Sequence, residues 1–278
     1  MIPKSSKERG AAVRPPSRKR ADLLLVERGL AGTREKAQAL VMAGLVDIGG
    51  ERVDKPGQLL PVDKPLFVRA ALPFVSRGGL KLDEALEAFG LSVEGQIAAD
   101  LGASTGGFTD CLLQRGARRV YAVDVDTRQI DQRLRRDARV VLIEKNARYL
   151  EPGDFPERPE IVAADLSFIS VLKVLPALKA ILMRGTLLIL LKPQFEAGRA
   201  DVGKRGVIRD PAVHARVLDK VLSEARGMGF SLRGLMRCAT RGQKGNQEFM
   251  AWWSADGPGL DRKGAADLIR EVTGYEDH

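Results

Sequence analysis

Residues 97–113 read IAADLGASTGGFTDCLL, and this stretch decides the fold. It opens with an apolar run of strand length, turns on Gly102, Gly106 and Gly107, and continues with helical spacing over 107–115. A strand, a glycine turn and a helix in that order open a nucleotide-binding α/β unit, whose ligand sits beyond the carboxyl ends of the strands. The glycine spacing is neither G-x-G-x-x-G nor G-x-x-x-x-G-K-[ST], so neither a dinucleotide pyrophosphate nor a nucleoside triphosphate is the expected ligand. Asp124 ends the next predicted strand, over 120–123, where a carboxylate can accept hydrogen bonds from both hydroxyls of a ribose. An adenosine ligand without a diphosphate fits this pair of features. Asn146, after the third strand, is the candidate for the adenine edge.

Downstream of that unit, strand and helix signals alternate. Apolar runs at 140–143, 161–164 and 186–191 read as strands, and 128–136, 169–183 and 211–227 read as helices. The runs at 232–238 and 248–253 have no helix between them and close the chain as an antiparallel hairpin. Continuously apolar strands alternating with helices predict an α/β fold with a mostly parallel sheet covered on both faces. Upstream, 71–78 reads as a linker to a smaller unit at 21–70, and 1–20 as a disordered basic tail. That tail is rich in Pro, Ser and Gly and carries seven basic residues against one acidic.

Bulk composition narrows the function classes. The chain has 278 residues and a formal charge of +9, which suits a polyanionic partner. Two cysteines far apart make no disulfide framework and fit a reducing cytoplasm. Two histidines cannot build a Cys/His metal cluster, so no metal is expected. No apolar run reaches the length of a membrane span, and the N-terminus lacks the apolar region of a secretory signal.

The unit at 21–70 reads as two helices followed by short strands: ADLLLVERGLAGTREKAQALVMAGLVDIGGERVDKPGQLL. This order and its glycine punctuation resemble the S4 RNA-binding domain, a small α+β module. The resemblance implies RNA contacts from the start of the second helix and from the strand turn, here Arg34, Lys36, Arg52 and Lys55. Basic and acidic residues balance within the unit, so a basic patch must come from geometry.

DLGASTGGFTD is similar to the S-adenosylmethionine loop of the FtsJ-like ribose methyltransferases. That resemblance implies S-adenosyl-L-methionine as cofactor and a Rossmann-like class I methyltransferase sheet over 79–278. The resemblance implies cofactor contacts from Gly106 and Phe108, and the candidate cofactor-binding set adds Gly102, Ser104 and Gly107 of the same loop to Asp124 and Asn146.

Four charged residues stand at ends expected to converge: Lys81 in SRGGLKL, opening a helix, Asp165 in AADLSF, Lys192 in LLKPQFE and Glu248 in GNQEFM. The set resembles the Lys-Asp-Lys-Glu tetrad of 2′-O-ribose methyltransferases. A ribose hydroxyl is a poor nucleophile until its proton is removed or shared. A lysine serves as base only where partial burial and a second cation favour its neutral form. Lys192 is the expected base, Lys81 the second cation, Asp165 the holder of Lys192, and Glu248 the group that orients the other lysine or the ribose. SRGGLKL, DLGASTGGFTDCLLQ, KPQFE, GVIRDPAVH and GNQEF together resemble the TlyA-type rRNA methyltransferases, a family once described as haemolysins. The resemblance implies 2′-O-methylation of cytidine in ribosomal RNA, free or within ribosomal subunits. The older description implies a membrane-active protein, against which the lack of a span or of a basic surface-active helix argues. A catalytically inactive RNA-binding protein is the third reading, and the presence of all four tetrad positions argues against it.

Overall fold

The computed structural model describes residues 17–42, 44–68, 73–198, 201–203, 206–242 and 245–275, so residues 1–16 of the expected tail lie outside the described residues. The chain forms two compact units, 1–71 and 72–278.

The first unit runs β1 (Arg18–Arg20), α1 (Ala21–Glu27), α2 (Arg34–Met42), β2 (Val46–Ile48), β3 (Glu51–Arg52), β4 (Leu59–Pro61) and β5 (Leu66–Val68). β2 pairs antiparallel with β3 and β5, and β1 pairs antiparallel with β4. Its core joins Leu24 and Leu25 of α1 and Ala37 and Val41 of α2 to Val46, Val53, Leu60 and Leu66. The strand at Arg18–Arg20 corrects the expected tail boundary. The edge of β4 offers backbone partners to these residues, and Arg20 bonds the buried carboxylate of Asp22.

The second unit begins inside the expected linker, which is the second correction. Phe74 is buried, the Val75 amide donates to Asp110 Oδ2 at 2.8 Å, and Ser76 caps α3 (Arg77–Ala88). Lys81 therefore lies within α3 and does not open it. The unit continues with β6 (Ile97–Leu101), α4 (Gly107–Gln114), β7 (Arg119–Asp124), α5 (Gln132–Arg135), β8 (Val140–Glu144) and β9 (Ile161–Ala164). α6 (Leu175–Ile181), β10 (Thr186–Leu191), α7 (Pro193–Glu196), α8 (Pro211–Gly227), β11 (Ser231–Arg237), β12 (Phe249–Ser254) and α9 (Arg262–Thr273) complete it.

These strands form a seven-stranded sheet in the order β11-β12-β10-β9-β6-β7-β8. β10, β9, β6, β7 and β8 are parallel, and β12 pairs antiparallel with both β10 and β11 at one side. The alternation of a strand divides β6 between two cores. Ile97, Ala99 and Leu101 face the layer that holds Leu178 of α6, Leu218 of α8 and Ile269 of α9, while Ala98 faces Leu82 of α3 and Leu112 of α4. Each fully buried Leu, Ile or Val on these faces contributes about 1.5–3 kcal/mol. Chain order reverses between β6 and β9, so the switch point lies at their adjoining carboxyl ends.

Three expectations change. The helix predicted over 128–136 is a short turn at Thr127–Gln129 followed by α5, because Asp126 and Asp131 each cap a new start. The one predicted over 169–183 breaks into Val171–Lys173 and α6, with Pro176 in the first turn of α6. The chain also continues past β12 into α9, capped by Asp261 and packed through Ala265, Ile269 and Val272.

Candidate active site

A cavity of about 770 Å3 opens at the switch point, between the glycine loop after β6 and the segments that follow β9 and β10. The loop needs its glycines. Gly102 has φ +82° and lies against the backbone carbonyl of Asp165, where a Cβ would collide. Gly106, at φ +94°, ends the loop against Leu134. Ser104 also sits in the left-handed region, at φ +50°, and its amide donates to Asp124 Oδ2 at 2.8 Å, which offsets the strain. Ser104, Gly107 and the buried Phe108 line the cavity with Gly102.

Asp124 and Asn146 lie outside that lining. Asp124 ends β7 and spends one acceptor position on each oxygen, toward Ser104 N and Asp126 N. Asn146 is exposed and caps the following turn, its Oδ1 accepting from Arg148 N at 3.0 Å.

The four charged residues meet as two ion pairs. Lys192 Nζ lies 2.5 Å from Asp165 Oδ1 and donates to Ser167 Oγ at 2.8 Å. Lys81 Nζ pairs with Glu248 Oε2, with both side chains almost fully buried. Sheet register explains the convergence. Ala164 pairs with Leu101 and with Ile189, so Asp165 follows beside the glycine loop. Phe249 pairs with Leu191, so Glu248 stands opposite Lys192 across β10 and β12. Lys81 reaches the same cavity from α3.

Five further residues line the cavity. Asp100 is fully buried on the α4 side of β6, its Oδ2 accepting from Thr109 N at 2.8 Å and Thr109 Oγ1 at 2.7 Å. Its Oδ1 has no partner among the described residues, and burial pushes the carboxyl up to about 7. Ser167 fixes Lys192. Phe168 is 91% exposed at φ +62°, its ring 5.3 Å from that of Phe195. Gln194 lines the cavity between Lys192 and Phe195. The motifs AADLSF and KPQFE contain four of these residues and the opening run of residues 97–101 contains the fifth, but spacing alone does not separate them from structural positions. The two cysteines are free and buried, with burial raising both thiols above their usual range.

In the first unit Arg34, Lys36, Arg52 and Lys55 are all exposed. Arg34 Nε donates to Asp22 Oδ2 at 3.0 Å, and Arg52 lies near Asp54, beside Gly44 beyond the far end of α2. The buried Asp22 also accepts from Arg20 and Gln38. The Arg20 hydrogen bond, aided by Arg34 and Gln38, holds its carboxyl well below the usual carboxylate range. Among the described residues no helix is long and apolar enough to cross a membrane, and no group of three or more His, Cys, Asp or Glu is placed to hold a metal ion.

Known proteins resemble this chain. Residues 74–255 match the FtsJ-like methyltransferase family and residues 19–64 match the S4 domain. YqxC of Bacillus subtilis, provisionally described as an rRNA methyltransferase, is 49% identical over 92% of this chain and 93% of its own. The 16S/23S rRNA (cytidine-2′-O)-methyltransferase TlyA of Mycobacterium tuberculosis is 42% identical over 92% of this chain and 97% of its own. A solved structure from Streptococcus thermophilus, provisionally described as a hemolysin, superposes with a TM-score of 0.71 at 44% identity, covering 94% of this chain and 97% of that one. With both domains matched in order and the glycine loop and charged tetrad in one cavity, the chain belongs to the FtsJ-like methyltransferases and, among them, to the TlyA-related group that carries an S4 domain.

Proposed function

We propose that this chain transfers a methyl group from S-adenosylmethionine to the ribose 2′-hydroxyl of cytidines in ribosomal RNA, in the cytoplasm. The observation that carries the reading is the convergence of Lys81, Asp165, Lys192 and Glu248, as two ion pairs, on the cavity that also holds the glycine loop. The names of the relatives support the RNA class and the cytidine target.

The cavity suits the cofactor. An unpartnered buried carboxylate oxygen on Asp100 matches an ammonium group, such as that of a methionine moiety. Gly102, Ser104, Gly106 and Gly107 let backbone come close to a ligand, and Phe108 adds an apolar wall. Asp124 keeps lone pairs for ribose hydroxyls, and the Asn146 amide borders the adenine side. When bound, S-adenosylmethionine supplies a methyl group activated by its sulfonium.

The protein's own part is alignment and proton handling. Lys192 Nζ, once it has given up its own proton, takes the proton of the 2′-hydroxyl as its oxygen attacks, and Asp165 and Ser167 hold that amine in one position. Lys81 adds a second cation, itself held by Glu248. Phe168 offers an exposed ring on which the target base stacks. Arg34, Lys36, Arg52 and Lys55 of the S4 domain contact phosphates elsewhere on the RNA. Incubating undermethylated ribosomal subunits with methyl-labelled cofactor and mapping the modified riboses tests the reading. Label absent from every 2′-oxygen refutes it.

A further inference from the structure

Gln194 has an unexplained group. Its Oε1 is buried with no hydrogen-bond partner among the described residues, yet the side chain lines the cavity. A buried acceptor left unpaired costs free energy, so one beside a cavity is a candidate to be completed by whatever the cavity binds. The helix that carries the amide is anchored. Gln194 lies on α7, and Glu196 at the end of α7 accepts from Ser170 Oγ at 2.6 Å and from Val171 N at 2.8 Å. Those bonds lock α7 to the segment carrying Asp165, Ser167 and Phe168. Phe195, next to Gln194, packs its ring on Phe168.

We propose that Gln194 is a specificity-determining residue that reads the target nucleobase, its Oε1 accepting a hydrogen bond from the exocyclic amine of the base. The proposal rests on the ribose-methyltransferase reading above and deepens it. Gln194 belongs to the substrate side of the cavity because Pro193 alone separates it from Lys192, and its other neighbour, Phe195, packs on the exposed Phe168 ring. The cofactor's polar groups have their matches on the β6 loop instead. A carboxamide oxygen only accepts, so it favours a base edge with an amine at that point and disfavours one with a keto oxygen. Cytosine presents N4–H2 beside the N3 acceptor, which Nε2 of the same amide can serve as donor. Uracil presents a keto oxygen where cytosine has its amine, which sets oxygen against oxygen.

The test uses the full-length protein and three target RNAs that differ at one nucleoside: cytidine, uridine, and the pyrimidin-2-one riboside, which lacks the amine. Gln194→Met keeps side-chain length and volume without the amide, and Gln194→Ala is the second variant. In the wild type kcat/KM for cytidine exceeds that for both analogues by roughly tenfold, the worth of one good base contact. Both variants lose that ratio, falling on cytidine to the level of the analogues. Their affinity for S-adenosylmethionine, measured by calorimetry, stays at the wild-type value. A cytidine preference that survives in either folded variant, or a variant with weakened cofactor binding, overturns the assignment. Wild-type protein that methylates none of the three RNAs removes the methyltransferase reading, and this proposal falls with it.

Discussion

Replacing Asp100 by asparagine isolates a fully buried carboxyl whose charge the fold opposes. Asp100 titrates at about 7 in the folded chain, against 3.8 for an ordinary aspartate, because burial disfavours the charged form. The hydrogen bonds from Thr109 pull the other way, and the charges of Asp165 and Asp124 add to burial. For an acid raised in the fold, the folded chain holds its proton where the unfolded chain has lost it. Stability is then full below about pH 4, falls as pH rises, and stays lost above about pH 7. The loss amounts to about 4 kcal/mol at its full extent. For a domain of this size each kcal/mol moves Tm by about 2–4 °C, so the full effect is on the order of 10 °C. Asparagine keeps an oxygen for Thr109, turns its amide toward the cavity and carries no charge at any pH. Scanning fluorimetry of the ligand-free protein between about pH 5 and pH 8 should find Asp100→Asn gaining on the wild type by about 3 kcal/mol, the part of the loss that falls within this window. If the two Tm curves run parallel across this window, the electrostatic reasoning about Asp100 is wrong. The same variant also loses the partner of the ligand's ammonium, so calorimetry should record weaker binding of S-adenosylmethionine.

Other consequences are as direct. Lys192→Ala abolishes methyl transfer with near-normal cofactor affinity, and Lys192→Arg fails too because a guanidinium cannot give up its proton; an active arginine variant recasts Lys192 as an electrostatic clamp. Glu248→Ala strands Lys81 and lowers unfolding stability by about 3–5 kcal/mol, whereas Lys81→Met combined with Glu248→Gln costs less than Glu248→Ala alone; urea titrations giving the opposite order count against a buried, mutually dependent pair. Asp124→Ala weakens cofactor binding by about 1–3 kcal/mol, and an unchanged calorimetric affinity removes Asp124 from the cofactor site. Lys36→Ala with Lys55→Ala reduces the slope of log affinity for RNA against log salt by about 2, and an unaltered slope means that neither lysine meets a phosphate.

What the chain determines by itself is whatever its physics makes local. The strand, glycine turn and helix of residues 97–113 are legible because apolar period and glycine punctuation act over neighbouring residues. Local signals can also go unread. Three Asp-x-Arg steps, at Asp126, Asp131 and Asp137, each turn a carboxylate onto the amide two residues on, and the first two break the run at 128–136 that periodicity predicts as one helix. The Asp261 cap and the apolar spacing of α9 were likewise in the sequence. The convergence of the charged tetrad was legible from its places at the strand ends and from a family resemblance, but its pairing was not, since no local rule links Lys81 to a carboxylate 167 residues away. Tertiary structure alone decided the pairing of Lys81 with Glu248 and of Lys192 with Asp165, the burial of Asp22 beneath Arg20 and Arg34, and the unmet oxygens of Asp100 and Gln194. The reason is register. A one-residue slip in a strand sends every side chain to the opposite face, so the partner of a charged group is set by how β6, β9, β10 and β12 align and not by its sequence neighbours.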